Sequence, residues 1–426
     1  MPSTCATSTS DAPTLALVSL GCAKNAVDLQ LMAGRMLKAG WRLSADPDRA
    51  DAVVVNTCSF IASAREESER EIRRALELKR RGAYSRVIVS GCYPQRYPGA
   101  VAAFPGVDEW IGVPGKWEEQ KVQGLRLTGR AFAYLKIAEG CAHRCSYCAI
   151  PSIRGAYRSR PMRSILREAR ALVATGCREL NVIAQDPMMW RDGKRRLADL
   201  LWALDRIHGR FWVRVLYSYP SEIDGDFVYW LMTAKHAAKY VDMPIQHTVP
   251  EVLVKMNRRR TAEVVECLAD DLRLLVPDVT LRTTVLVGFP GETEARFRRL
   301  LSDVARMQFD HLGAFAYSPE RGTKGATLGG RPSQAAARSR ERQVMELQRR
   351  IWDSRARRLV GKVLPALVVA PGVARLESQA PDVDGVTRID CADPQLVGEF
   401  VKVEISGVDG FDFVAKVVRG RGRARK

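Results

Sequence analysis

Three apolar, β-branched runs fall within the first hundred residues, TLALVSLG, ADAVVVNT and SRVIVSG, and each leads directly into a cysteine: Cys22, Cys58 and Cys92. Short runs of this kind read as buried strands. Between the first two lies NAVDLQLMAGRMLKAG, where Val27, Leu31, Met32 and Met36 recur at helical spacing, with Asn25 as a start signal and Gly40 as a stop. Between the second and third, Ser63 and Glu66 make a capping-box pattern opening a helix that Gly82 closes. Strand, helix, strand, helix, strand in this order builds a parallel α/β sheet, and ligands of such sheets bind beyond the carboxyl ends of the strands. All three cysteines fall there. A lone cysteine more often fills a core, but recurrence at the same strand end in three successive units points to one shared cysteine site.

The middle of the chain repeats the alternation. Candidate strands are RAFAYLKIAEG, ELNVIAQD, FWVRVLYSYP, KYVDMPIQH, TLRTTVLVGFPGE and DHLGAFAYSP, separated by helical stretches such as SILREARALVATG. Six βα repeats predict an incomplete or complete (β/α) barrel with its active site at the carboxyl ends of the strands. Cys141, Gln185, Asp186, Tyr219, Gln246, His247, Gly288, Glu292, Tyr317 and Ser318 gather at those ends. The first of these ends carries EGCAHRCSYCAIPSIRGAYRSRP, which places Cys141, Cys145 and Cys148 within eight residues. Three thiolates can hold three corners of a cubane iron-sulfur cluster and leave the fourth iron free to bind a reactant. Zinc competes, since His143 lies among the cysteines, but structural zinc takes four protein ligands and no second pair follows. Arg154, Arg158 and Arg160, just beyond, are candidates for binding a carboxylate or for a basic rim.

Composition sets the context. A chain of 426 residues holds two or three cores, and 46% hydrophobic with 27% charged residues describes a soluble globular protein. No apolar run approaches the ~20 residues that span a bilayer. The polar opening MPSTCATSTSDAPT lacks a secretion signal, and ten cysteines without one fit metal chemistry in a reducing cytoplasm. With 67 Lys+Arg against 48 Asp+Glu the formal charge is +19, which favours RNA or a ribonucleoprotein as partner; helix faces such as REESEREIRRALELKRR are equally read as solvated pairs. Cys5, Cys177, Cys267 and Cys391 have no ligand-like neighbours. From about residue 333 a basic helix, AAARSRERQVMELQRRIWDSRARRLVG, leads to VLPALVVA, VTRID, EFVKVEIS and DFVAKVV, which predict a small β-barrel followed by the basic tail RGRGRARK.

The CxxxCxxC spacing with Tyr147 before the last cysteine resembles the radical S-adenosylmethionine superfamily, and three cysteines on an α/β sheet ahead of it resemble the methylthiotransferase family. SLGCAKNAVD, IAQD, VDMPIQH, RTTVLVGFPGE and ARLESQAPDVDG are more similar to its RimO branch than to its tRNA-modifying branches. After IAQD the sequence departs from the family pattern with Pro187, Met188, Met189 and Trp190, as it does at Leu29 and Gln30. The resemblance implies a lead at 1–13, an N-terminal α/β domain at 14–125, a radical SAM partial barrel with trailing helix at 126–358, and a TRAM-like β-barrel with basic tail at 359–426. It implies two 4Fe-4S clusters, one on Cys141, Cys145 and Cys148 and one on Cys22, Cys58 and Cys92, with S-adenosyl-L-methionine cleaved at the first to a 5'-deoxyadenosyl radical. Tyr147, Gln185 and Gly288 are the expected cofactor contacts. The implied reaction adds a methylthio group to an aspartate β-carbon of ribosomal protein S-twelve, with an electron donor as second partner and RNA contact through the terminal barrel and tail. The same chemistry on a tRNA adenosine, and a non-catalytic zinc RNA-binding protein, are the alternatives.

Overall fold

The computed structural model describes residues 12–113 and 125–418. Cys5, nearly all of the polar lead, and the basic tail 419–426 lie outside the described residues. The chain forms two compact units, Met1–Leu127 with Ala149–Gly155, and Thr128–Cys148 with Ala156–Lys426.

The first unit is a five-stranded parallel sheet of β1 (Thr14–Ser19), β2 (Arg42–Leu43), β3 (Ala50–Thr57), β4 (Tyr84–Gly91) and β5 (Glu109–Ile111), in the order β2-β1-β3-β4-β5. Alternate residues serve opposite faces. Val53, Val55, Val87 and Val89 pack with Ile72 and Ala75 of α2 (Ala62–Arg80), while Ala52, Val54 and Ile88 pack with Leu29 and Ala33 of α1 (Ala23–Lys38). Burial on both faces explains why these strands read as unbroken apolar runs. A short α3 (Cys92–Arg96) follows β4, and α4 (Ile150–Arg154) completes the unit. The charged face of α2 is the solvated one: Arg73 pairs with Glu69, Arg80 and Arg81 with Glu77, and Arg74 with Asp48.

Two expected helix starts are corrected. α1 begins at Ala23 with Cys22 as its N-cap and no side-chain cap, and Asn25 turns inward. α2 begins at Ala62 after Ile61, also without a side-chain cap, which puts Ser63 inside the first turn. In place of a capping box, Ser68, one turn further on, accepts from the Cys58 N–H at 3.0 Å and donates to the Cys58 carbonyl at 2.7 Å.

The second unit is built on six parallel strands, β6 (Phe132–Lys136), β9 (Glu179–Ile183), β12 (Trp212–Val215), β13 (Ala237–Asp242), β14 (Thr280–Val287) and β15 (His311–Ala316), in the order β15-β14-β13-β12-β9-β6. The sheet does not close, so the barrel is the incomplete form. Two small ribbons, β7 (Ala138–Glu139) with β8 (Arg158–Ser159) and β10 (Arg191–Asp192) with β11 (Arg195–Arg196), sit in its loops. Helices α5 (Met162–Ala174), α6 (Leu197–Asp205), α7 (Gly225–Thr233), α8 (Pro250–Lys255), α9 (Arg259–Leu275) and α10 (Glu294–Met307) connect the strands, and α11 (Gln334–Arg357) packs along β15.

A closed barrel of β16 (Val363–Ala370), β17 (Val373–Leu376), β18 (Thr387–Ile389), β20 (Asp412–Val417) and β19 (Phe400–Asp409) ends the unit, its core shared with Trp352 and Ala356 of α11. Strand β17 was not foreseen, because Arg375 interrupts the apolar pattern. Residues 375–384 reach all six strands of the partial barrel. Arg375 pairs with Glu179 of β9, and the Glu377 carbonyl accepts from Arg214 of β12 at 2.7 Å. The Glu377 carboxylate takes the Lys239 N–H of β13 at 2.7 Å, and Asp382 takes the Tyr134 hydroxyl of β6 at 2.5 Å. Asp384 lies 3.4 Å from Arg282 of β14 and 3.5 Å from His311 of β15.

Candidate metal centres

In the first unit the topology itself assembles the cysteines. β1, β3 and β4 are neighbours in register, Ser19 opposite Asn56 and Asn56 opposite Ser90, so Cys22, Cys58 and Cys92 follow three adjacent strand ends. Gly21 is required there: at φ +88° its Cβ would stand 2.8 Å from the Cys58 Cβ and 3.2 Å from its sulfur. A polar scaffold backs the three. Asn56 donates to the Asn25 carbonyl at 2.6 Å, Thr57 to the Ser90 carbonyl at 2.5 Å, and Ser59 to the Cys92 carbonyl at 3.0 Å. Asn25 is held by donating to the carbonyls of Leu20 and Thr57, and its Oδ1 lies 3.8 Å from the Cys22 sulfur and 3.5 Å from that of Cys92.

The three thiols are not equivalent. Burial raises Cys92 to about 11, with Arg154 opposing, and burial also raises Cys58. Cys22 is exposed, so the desolvation that works in the same direction counts for less there, and Lys24, Arg154 and the N–H groups at the start of α1 leave the thiol below its ordinary value. Arg154 lies within this site. The reading of Arg154 as part of a basic rim is therefore corrected: the side chain is buried, with Nη2 2.6 Å from Asn25 Oδ1 and 3.6 Å from the Cys92 sulfur, and Nη1 3.0 Å from Asp28.

In the second unit Cys141, Cys145 and Cys148 lie on the loop after β7. The loop is fixed from behind: Ser146 donates its N–H to the Met256 carbonyl at 3.0 Å and its hydroxyl to the Lys255 carbonyl at 2.7 Å, while Asn257 donates to the Arg144 carbonyl at 2.8 Å. Gly325 donates to the Ser146 carbonyl at 2.6 Å, and a Cβ there would meet that oxygen and the Tyr317 hydroxyl. Tyr147 accepts from Arg258 at 3.0 Å, and the Arg258 guanidinium also lies 4.1 Å from the centre of the Tyr219 ring. Burial, then the nearby Cys145, drives the Tyr147 hydroxyl well above its ordinary value, so it stays protonated; burial raises Cys141 to about 11.

His143 does not join the cysteines as a ligand. Its ring stacks on Tyr219 at 3.8 Å and its Nε2 is 2.6 Å from Asp186. Among the described residues no three His, Cys, Asp or Glu side chains converge on a single ion.

The other candidates divide. Gln185 donates to Glu139 at 3.1 Å, and its buried Oε1 has no hydrogen-bond partner among the described residues. Glu139 also pairs with Lys136 at 2.5 Å. Gly288, at φ +76°, faces Ala337 of α11 so closely that no Cβ fits, which gives it a packing role. His247 is fully buried; its Nδ1 accepts from the Val249 N–H at 3.0 Å, and its Nε2 faces Glu292 at 3.8 Å. Arg160 is withdrawn from any rim by its pairing with Glu168, whereas Arg158 is exposed. The departure at Pro187–Met189 is a short 3-10 turn capped by Asp186, whose Oδ1 accepts from the Met188 N–H at 3.0 Å, and Trp190 is buried with its indole N–H on the Arg160 carbonyl. Asp186 thus keeps its contact with His143. Sequence reasoning gave no role to Asn25, Ser68 or Arg258 at these sites; Arg258 sits in the run NRRR, where nothing marks it from its neighbours.

Residues 14–112 match the model described as Uncharacterized protein family UPF0004, residues 135–304 the Radical SAM superfamily, and residues 360–418 the TRAM domain. The ribosomal protein uS12 methylthiotransferase RimO of Geobacter sulfurreducens is 38% identical over 95% of this chain and 98% of its own length. The protein of the same name from Syntrophus aciditrophicus is 39% identical over 94% and 98%. The chain belongs to the RimO family. The fold is also that of the radical S-adenosylmethionine methyltransferase TsrM from Kitasatospora setae, with a TM-score of 0.56 at 17% identity over 74% of this chain and 77% of that one. Radical SAM membership brings S-adenosylmethionine and one 4Fe-4S cluster as cofactors, and the donor set Cys141, Cys145 and Cys148 fits that cluster. No helix among the described residues is long and apolar enough to cross a membrane.

Proposed function

We propose that this chain, like the RimO proteins it matches, methylthiolates ribosomal protein uS12, on the β-carbon of an aspartate. The observation that carries the reading is the similarity of this chain, over about 95% of its length, to enzymes of that name, with which two sets of three free cysteines agree. Cys141, Cys145 and Cys148 hold the cluster that binds S-adenosylmethionine, and Cys22, Cys58 and Cys92 hold a second. The fit of the second rests on three thiols at register-aligned strand ends in a site carrying Arg154, a charge suited to thiolates. When bound, the clusters supply electron transfer and a carrier for sulfur, chemistry that protein side chains lack.

The protein's own residues bind and orient. Tyr147, on Arg258, and Gln185, whose amide oxygen has no partner among the described residues, line the S-adenosylmethionine pocket, and Gly288 lets the carboxyl end of β14 pass close to α11. The TRAM barrel and the basic tail contact RNA around the substrate, an external donor provides electrons, and a ribosomal substrate places the work in the cytoplasm. The test incubates anaerobically reconstituted protein with S-adenosylmethionine, reductant and sulfide, in parallel with uS12 and with unmodified tRNA, followed by mass spectrometry. Replacement of one hydrogen by a methylthio group on a uS12 aspartate is the expected result. The same gain on tRNA alone overturns the substrate, and a protein that binds zinc and no iron overturns the chemistry.

A further inference from the structure

Arg154 ends a helix of only five residues, closed by Gly155 at φ +76°. Ala149 and Ile153 anchor that helix by packing with Cys92 in a small buried cluster, which fixes where the next side chain goes. That side chain is 4% exposed, and its two terminal nitrogens divide between unlike partners. Nη2 reaches Asn25 Oδ1 at 2.6 Å and the Cys92 sulfur at 3.6 Å, while Nη1 lies 3.0 Å from the buried Asp28 carboxylate. Once the thiols have given up their protons to bind iron, Asn25 Oδ1 can no longer accept from them. The guanidinium remains a donor to sulfur. Hydrogen bonds and charges beside cluster sulfurs govern how readily a cluster takes an electron.

We propose that Arg154 is a positioning residue of the N-terminal cluster, donating to the Cys92 sulfur and, in balance with Asp28, setting that cluster's reduction potential. This rests on the reading that Cys22, Cys58 and Cys92 hold a cluster. The pair supplies one positive and one negative charge, so the two can be removed separately with opposite consequences. Arg154→Gln removes the positive charge, keeps the Asp28 carboxylate and disfavours the added electron. Asp28→Asn removes the negative charge, keeps the guanidinium and favours it. The double variant lies between, and Arg154→Lys, which keeps the charge, stays nearer the parent than Arg154→Gln.

The experiment uses the full-length chain carrying Cys141→Ala, Cys145→Ala and Cys148→Ala, so that only the N-terminal cluster is reconstituted. Iron and sulfide are counted, and the cluster is titrated potentiometrically with electron paramagnetic resonance as readout. At the parent's midpoint, the ratio of reduced to oxidised cluster falls about tenfold in Arg154→Gln and rises about tenfold in Asp28→Asn, about 59 mV each way for a one-electron couple. If Arg154→Gln loses its iron, Asp28→Asn and the double variant still order the potentials. Iron retained with unmoved or unordered potentials overturns the role of Arg154 alone. A parent without iron overturns the N-terminal cluster, and this inference with it.

Discussion

Glu179 is the charge on which the junction of partial barrel and TRAM barrel depends. Its side chain is wholly buried, with Oε1 2.8 Å from Arg214 Nε and Oε2 paired with Arg375. Both guanidinium groups are buried as well, lying over Tyr240 and Phe132 respectively. One carboxylate therefore offsets two desolvated cations. Glu179→Gln keeps the shape and removes the charge. Breaking a buried ion pair from one side costs ~3–5 kcal/mol, a large share of the ~5–15 kcal/mol that holds a protein folded. For a unit of this size the melting temperature falls by roughly 5–8 °C.

The pH dependence has a definite sign. Burial raises the Glu179 pKa, but Arg375 and Arg214 together more than reverse it, and the folded value lies below the ordinary one. A depressed carboxyl contributes stability that is complete above its unfolded pKa of ~4.3 and is lost as pH falls through the folded value. Thermal melts of the reconstituted protein, followed by tryptophan fluorescence, are expected to show the full gap between parent and Glu179→Gln at pH 7 and a narrowing gap below pH ~4. A variant melting within about 3 °C of the parent at pH 7, or a gap that widens on acidification, refutes the reasoning. Glu179→Leu with Arg214→Met and Arg375→Met, which removes the whole triad, is expected to melt closer to the parent than Glu179→Gln does.

Gly21→Ala forces a Cβ to within 2.8 Å of Cys58 at a φ of +88°, a conformation that alone costs ~1–2 kcal/mol. Its iron content is expected to fall by one cluster while S-adenosylmethionine cleavage persists, and full iron loading would count against the site. Cys145→Ala is expected to do the reverse, abolishing cleavage while the N-terminal cluster remains; cleavage at the parent rate would remove this cysteine from the radical site. Tyr147→Phe takes the acceptor from the buried Arg258, an unmade hydrogen bond worth ~1–3 kcal/mol. The S-adenosylmethionine concentration for half-maximal cleavage is expected to rise about tenfold, and an unchanged value would show that the Tyr147 hydroxyl does not shape the pocket.

What the sequence shows and what it hides follow one physical rule. The strand ends that bear Cys22, Cys58 and Cys92 were legible because burial on both faces of a parallel sheet writes itself as a run of β-branched residues, and a cysteine after each run is a local fact. Cys141, Cys145 and Cys148 stand out in the sequence through another local fact, their spacing within eight residues. Residues that act across the fold left no such mark. Asn25 read as a helix start because a polar residue near a helix end ordinarily caps it, yet the helix begins two residues earlier, and the side chain faces the Cys22 and Cys92 sulfurs. Arg375 hid β17 because a charge in a short strand reads as a turn, although Glu179, 196 residues away, makes that charge tolerable in the core.

The same rule orders the chemistry. Ligand identity is set by the residue type at one position, so a motif specifies it. The field around the ligand is set by side chains from distant stretches: Arg154 comes from 62 residues beyond Cys92, and Arg258 from 111 beyond Tyr147. Both are buried cations beside cysteine sites, and in both the guanidinium is fixed by at least two partners, so its charge is held in place and does not sample solvent. A cation so fixed stabilises thiolate without the reorganisation that water would require. Two chains sharing these six cysteines can therefore differ in the field their thiols feel, and the difference would lie in residues such as Asn25, Asp28, Arg154 and Arg258.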